Sequence, residues 1–364
     1  MKTPFYVIDI AKLLANLEII EKIKEKSGAK FLFALKTFSV WALFDIINKY
    51  MDGFTSSSPY EVKLGYDKFG GEGISYSVAY SDDDFKQVID YADKIIFNSA
   101  SQVKYFRKQV NKQISGIRIN PGYSFSPHDI SNTCRPYCRL GESNINHIEA
   151  ILDDISGFMF HIHCENNNYK KFDESLCLIE NKYGHLFHRV DWIDLGGGIS
   201  FTNPDYPIYQ FAERLKEFIT KYQVQVYLEP GQAVLNQVAS LETTVVDIIE
   251  NERKIAILDC SADAHMPEIL SFPIPAQVEP NEGPYTYILA GNSCLAGDIF
   301  GEFNFKEELK PGSRVSFKDT GSYTIVKQNW FNGLRMPSIA IKQPNGHIEL
   351  IKTFNYEDFL NSQS

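Results

Sequence analysis

Long apolar runs are missing from this sequence. No stretch approaches the roughly 20 consecutive apolar residues of a membrane-spanning helix, and the opening MKTPFYVID lacks the apolar core of a signal peptide. A soluble, cytoplasmic chain with no membrane partner is the expectation. Cysteine is sparse, six in 364 residues, and too scattered for a disulfide framework, so reduced thiols are expected and any one of them is free to do chemistry. Positive charge is in deficit, with 36 Lys and Arg against 46 Asp and Glu and a formal net charge of −10. That balance repels nucleic-acid phosphates and suits a cationic small molecule. Internal repeats, low-complexity tracts and long linkers are absent as well. The one glycine cluster, GGGISF from Gly196, does not fit the dinucleotide pattern G-x-G-x-x-G.

A composition of 44% hydrophobic and 23% charged residues describes an ordinary globular protein of two domains. Over the first two thirds, short β-branched or aromatic runs alternate with longer amphipathic segments. The runs begin at Phe31 (FLFAL), Asp52 (DGFTSS), Ile74 (ISYSV), Lys94 (KIIFN), Gly116 (GIRIN), Phe158 (FMFHIH), Trp192 (WIDLGG) and Val226 (VYLEP). Between Ala11 and Lys26 the residues Leu13, Leu17 and Ile20 share one helical face, with Asp9 placed to cap it and Gly28 to stop it. Eight such strand-helix units predict a (β/α)8 barrel of the TIM type. After Gly231 the sequence turns strand-rich, which predicts a second, mostly β domain. The expected boundaries are 10–235 for the barrel and 236–364 for the β domain, with residues 1–9 adding a strand to the latter. Asn345-Gly346 between two apolar runs signals a two-residue hairpin turn.

Polar residues gather at the ends of the predicted barrel strands, where barrel enzymes assemble their sites. In order they are Lys36, Ser58, Ser77, Asn98, Asn120, His161 with His163, Gly196 to Gly198, and Glu229. Each has a bland alternative. A lone lysine at a strand end commonly snorkels to the surface; desolvated, its amine becomes a nucleophile for a carbonyl. The glycine triplet would expose backbone N–H groups to a phosphate in the usual barrel location. Glu229 in LEPG is either a turn residue or a carboxylate facing a heteroaromatic ring nitrogen. His161 and His163, two apart on the sixth strand, could ligate a metal, but no third ligand cluster accompanies them, so ring stacking by His161 is favoured and no metal is expected. Cys134, Cys138 and His128 are too loosely spaced to change that.

Together the motifs FALK (33–36), FHIHCE (160–165), DLGGG (194–198), EPG (229–231), GNSCLAGD (291–298), GSYT (321–324) and FNG (331–333) resemble the fold-type III pyridoxal-phosphate decarboxylases, in the right order and over essentially the whole chain. Within that class ALKTFSVW, SSPYEVKLG, SCLAGD and FNGLRMPSIA are most similar to the carboxynorspermidine and carboxyspermidine decarboxylases. The resemblance implies an alanine-racemase-type barrel followed by a β domain, pyridoxal 5'-phosphate as cofactor, a carboxylated polyamine as substrate, and a homodimer with shared active sites. Lys36 would carry the cofactor and His161 would stack on its ring. Gly197, Gly198, Gly231 and the Tyr323 hydroxyl would hold its phosphate, and Glu229 its ring nitrogen. Cys294 would reach a neighbouring subunit's site as proton donor, with Glu165, His265 and Asp298 as candidate substrate contacts. Three departures stand out. Gln232 replaces the arginine that ornithine-decarboxylase relatives carry after EPG; His163 and Cys164 stand where glycine and serine are common; Thr55 stands in place of an aspartate. Diaminopimelate and ornithine decarboxylases are more distant matches. A racemase would place arginine at the position of Glu229, and a non-catalytic cofactor-binding barrel would need neither the β domain nor Cys294.

Overall fold

The computed structural model describes residues 1–111 and 114–364. Its contacts divide the chain into two units, Asn16–Val234 and a second built from Met1–Ala15 with Leu235–Ser364.

The first unit is a closed barrel of eight parallel strands: β2 (Lys30–Ala34), β3 (Gly53–Ser56), β4 (Glu72–Tyr76), β5 (Lys94–Phe97), β6 (Ser115–Arg118), β7 (Gly157–Met159), β8 (Trp192–Asp194) and β9 (Gln225–Leu228). Every predicted strand run overlaps one of them. Closure comes from pairing of Lys30 with Tyr227 and Phe31 with Leu228. Leu32, Ile74, Tyr76, Ile96, Met159, Trp192 and Tyr227, drawn from six strands, form one buried cluster, the packed interior that makes such a barrel a core and not a pore. Trp192 dictates its neighbours. A Cβ at Gly157 or Gly116 would overlap its indole ring, so β7 beside it and β6 beyond that each give up a side chain there. At the strand starts Glu72 takes Lys30 (2.7 Å), Lys94 and the Tyr227 hydroxyl (2.9 Å), an ionic plug at the end opposite the polar strand termini.

Helix Ile10–Ser27 begins where expected, because the Asp9 carboxylate accepts the N–H groups of Ala11 (3.0 Å) and Lys12 (3.3 Å). Such a cap contributes about 1 kcal/mol. The helix stops at Gly28, whose φ of 74° only glycine adopts cheaply.

The second unit is a nine-stranded, mostly antiparallel sheet with the path β14-β13-β11-β10-β1-β16-β17 and β12 and β15 off it. Its strands are β1 (Phe5–Asp9), β10 (Ala239–Asn251), β11 (Arg253–Leu258), β12 (Gln277–Val278), β13 (Tyr285–Ala290), β14 (Ile299–Phe305), β15 (Arg314–Lys318), β16 (Ser338–Lys342) and β17 (Ile348–Lys352). β1 lies antiparallel to β10 and parallel to β16. The hairpin between β16 and β17 corrects the two-residue expectation. The Gln343 N–H donates to the His347 carbonyl (2.8 Å), leaving three loop residues, with Gly346 at φ 86°. That is the next shortest hairpin loop, with glycine at its left-handed position. A capped helix, Tyr356–Gln363, ends the chain, held by a reciprocal box between Asn355 and Asp358. Among the described residues no helix is long and apolar enough to cross a membrane.

Candidate active site

Lys36 does not end a strand. It sits in a 3-10 turn, Leu35–Thr37, just past β2, half-buried between two buried neighbours, and the Thr37 hydroxyl donates to the Ala34 carbonyl at 2.7 Å. His161 and His163 also lie beyond their strand. β7 closes at Met159, and the pair does not share a strand face as expected. Glu229 follows the end of β9 and is 3% exposed.

These residues meet at the C-terminal ends of the barrel strands. His161 Nδ1 accepts the Gly197 N–H (3.2 Å) and lies 3.6 Å from Glu229 Oε2. With Nδ1 used as an acceptor the imidazole is the neutral Nε2–H tautomer, and its contact with Glu229 is no hydrogen bond. Burial, then the Lys36 ammonium, push its pKa down to about 4, so it stays uncharged at neutral pH. Burial opposes ionisation of Glu229 as well, but the Lys36 charge holds its carboxyl below its ordinary value. Gly196 and Gly198 take φ of 71° and 80°. A Cβ on Gly196, Gly197 or Gly198 would strike His161, Glu229 or His163, so the loop is open only as glycine. A Cβ on Gly231 would strike the Thr37 side chain.

Other expected site residues do different work. Ser58 caps helix Pro59–Leu64 by accepting the Glu61 N–H. The Ser77 hydroxyl donates to the Ala79 carbonyl. Asn98 holds Gly141, Tyr76 and Arg139, and Asn120 holds Thr133, Leu140 and Gly122, so both fasten the loop after β6. His163 is buried against Asn166 (3.2 Å), and burial drives its pKa down to about 3. Glu165 is exposed at φ 51°, 3.9 Å from His128. Among the described residues no group of three His, Cys, Asp or Glu could hold a metal ion.

Within the sheet unit, Cys294 is exposed in the loop between β13 and β14, its N–H donating to Asn332 Oδ1 at 2.6 Å. Asp298 is 3% exposed and gives one carboxylate oxygen to the Ala262 N–H (2.6 Å) and the other to the Ser293 N–H (3.0 Å). It therefore braces the Cys294 loop. His265 is fully buried, accepts the Ser261 N–H at Nδ1 (3.1 Å), and is driven by burial to a pKa of about 4. Tyr323 starts helix Thr324–Lys327 in left-handed geometry, φ 62°.

The sequence model described as pyridoxal-dependent decarboxylase, C-terminal sheet domain, matches residues 5–321. The chain belongs to the pyridoxal-dependent decarboxylase family. A carboxynorspermidine/carboxyspermidine decarboxylase of Herminiimonas arsenicoxydans is 47% identical, with all of both chains covered. A carboxyaminopropylagmatine decarboxylase of Synechocystis sp. is 33% identical over 99% of this chain and 95% of its own. The crystal structure of carboxynorspermidine decarboxylase complexed with norspermidine, from Campylobacter jejuni, has a TM-score of 0.91 and 34% identity and covers 100% of both chains.

The decarboxylase residues fit the family's pyridoxal phosphate. The barrel supplies an amine (Lys36), a buried carboxylate for a ring nitrogen (Glu229), a neutral imidazole (His161), and a glycine cradle that any Cβ would fill.

Three residues at this decarboxylase site escaped the sequence reading. Arg118 is 5% exposed, donates to the His161 carbonyl (3.1 Å) and lies 4.9 Å over the Tyr76 ring. An arginine inside the apolar run GIRIN was its available signal. Asp194 is fully buried at the end of β8, inside the quoted motif DLGGG. Glu61 has its pKa raised by burial, with the Lys36 charge working the other way; as the third residue of a capped helix it carried no distinguishing signal.

Proposed function

We propose that this decarboxylase removes carbon dioxide from carboxynorspermidine or carboxyspermidine, yielding norspermidine or spermidine, and works in the cytoplasm as a homodimer with shared sites. The full-length 47% identity to the Herminiimonas enzyme carries the substrate assignment. Lys36 holds the cofactor covalently through its amine. The neutral His161 ring stacks on it without adding a charge. Gly197, Gly198 and Gly231 cradle the phosphate, and the Tyr323 hydroxyl is the side-chain donor assigned to it. Gln232 adds no charge there, so backbone donors carry that load. Glu229 keeps the ring nitrogen protonated. When bound, pyridoxal phosphate supplies the electron sink for the pair released as carbon dioxide departs. The Cys294 thiol of the neighbouring subunit would return a proton to the substrate carbon that loses its carboxylate and keeps the electron pair. Glu165 is assigned to the substrate's cationic tail, and the fully buried His265, first expected beside it, to holding the Ser261 turn that Asp298 also anchors. Asp298, first expected beside them, is assigned to holding the Cys294 loop.

The test offers purified protein carboxynorspermidine, carboxyspermidine, carboxyaminopropylagmatine, ornithine and diaminopimelate in turn and identifies each amine by mass spectrometry. One of the first two should exceed ornithine in kcat/KM by at least about tenfold, a margin within reach of differential transition-state binding. Equal or better efficiency on ornithine or diaminopimelate would remove the polyamine reading and leave the decarboxylase intact.

Glu229→Gln probes the electron sink. The variant keeps size and hydrogen bonding but cannot hold a proton on the ring nitrogen by charge, so it should bind cofactor and lose at least about a hundredfold in turnover, or about 3 kcal/mol of barrier. Wild-type turnover in this variant would assign the sink to another group.

A further inference from the structure

Asp194 has no part in the reading above, yet it lies fully buried at the C-terminal end of β8, beside Glu229. Its Oδ1 accepts the Gly196 N–H at 2.7 Å. Its Oδ2 is equally buried and receives no hydrogen bond from any donor. An ionised carboxylate has only acceptor sites, and one left with an unserved oxygen in a dry interior carries a large desolvation penalty. A second carboxylate beside it raises that penalty, because two buried anions in contact do not both ionise. Carrying a proton removes the charge and turns the unserved oxygen into a donor, with Glu229 as its acceptor.

We propose that Asp194 is held as the neutral acid and donates a hydrogen bond to Glu229, fixing that neighbour as the anion. Asp194 is then a positioning residue. It never touches the reacting atoms but sets the charge and orientation of the carboxylate that does. The charged and titratable groups around the pair place the proton on Asp194. His161 lies uncharged against Glu229, and the Lys36 ammonium favours the Glu229 anion. On the Asp194 side stand the Gly196 N–H and the Tyr227 phenol, which is un-ionised and bonded to Glu72. Burial and then the Glu229 charge move the Asp194 carboxyl well above its ordinary value, in agreement with the hydrogen-bond pattern. A neutral carboxylic acid kept as a donor in an apolar site is a known device for stabilising an adjacent negative charge.

The inference rests on the reading that Glu229 faces the cofactor ring, but its test does not require turnover. Infrared spectra of the apoprotein at neutral pH should show the carbonyl stretch of a protonated carboxyl, and isotope-labelled aspartate should shift that band where labelled glutamate does not. The band should vanish in Asp194→Asn. Absence of the band in wild type, a shift with labelled glutamate instead, or its survival in Asp194→Asn would each overturn the assignment. If that variant fails to fold, the labelling result on wild type decides alone. Cofactor affinity gives a second readout. Asp194→Asn, whose amide can donate the same bond, should bind pyridoxal phosphate within about threefold of wild type, whereas Asp194→Leu should lose about tenfold or more. Equal losses in both would reduce Asp194 to a packing role. A protein that shows the band but does not decarboxylate a carboxylated polyamine would refute the substrate reading and leave this one standing.

Discussion

Lys36→Ala should bleach the protein and reduce turnover at least about a thousandfold, equivalent to about 4 kcal/mol of barrier, because the variant lacks the amine proposed to anchor the cofactor. The fold should survive. Leu35 and Thr37 on either side are buried, and the turn is closed by the Thr37 hydroxyl on Ala34, a bond that does not involve the lysine side chain. Local electrostatics will change, since the Lys36 ammonium acts on His161, Glu229, Asp194 and Glu61 together. Its loss leaves buried carboxyls without that cation, so Glu229 should take up a proton more readily in the variant. Absorbance of the bound cofactor, and mass spectrometry after borohydride reduction, are the measurements. A variant that kept the wild-type absorbance band and trapped the label on another lysine would assign the anchor elsewhere.

The barrel was legible because its strands are short, buried on both faces and separated by amphipathic helices, so their side-chain types announce them. Their ends were not legible. A parallel strand ends where its neighbours stop exchanging hydrogen bonds, and those neighbours are remote in sequence. β7 closes at Met159 because its last bonds are set by Ile119 on one side and Asp194 on the other. His161 and His163 accordingly leave the sheet, although FMFHIH reads as continuous strand. The same remoteness hid Asp194. The register that pairs it with Tyr227 brings Glu229 within reach, and no local pattern around WIDLGG encodes that meeting.

Polar residues at strand ends misled for a related reason. Asn98, Asn120 and Ser58 have the chemistry of ligand contacts, but the loop after β6 and the helix after β3 need the same donors and acceptors to close. Composition cannot separate the two uses. Asp298 teaches the same lesson in the sheet unit, where a carboxylate beside the proposed proton donor is consumed by two backbone N–H groups. Lys36, Glu229 and the glycine loop were legible because few structural roles call for a half-buried lysine, a buried glutamate and three consecutive glycines at the same end of one barrel.

Mixing two inactive variants should restore activity if Cys294 serves a partner's site. Lys36→Ala lacks the anchor in both sites of its homodimer, and Cys294→Ala lacks the proton donor in both, so each alone should be nearly inactive. The surface around Cys294 suits an interface. Leu295 is 41% exposed, Phe331 41% and Ile299 38%, large apolar side chains that water covers in a lone chain. The loop is also built to hold its shape, with Asp298 bracing Ser293 and Asn332 bonding the Cys294 N–H. In a two-fold dimer each chain lends its loop to the other, so a mixed dimer combines both lesions in one site and leaves the second site whole. Random exchange of equal amounts makes half of the dimers mixed, and one sound site in each gives about a quarter of the wild-type sites. Subunit exchange must be demonstrated in parallel with differently tagged chains. With exchange established, recovery near a quarter supports shared sites. No recovery means that Cys294 acts within its own chain or not at all, and the dimeric reading of the site falls while the roles of Lys36 and Glu229 stand on their own tests.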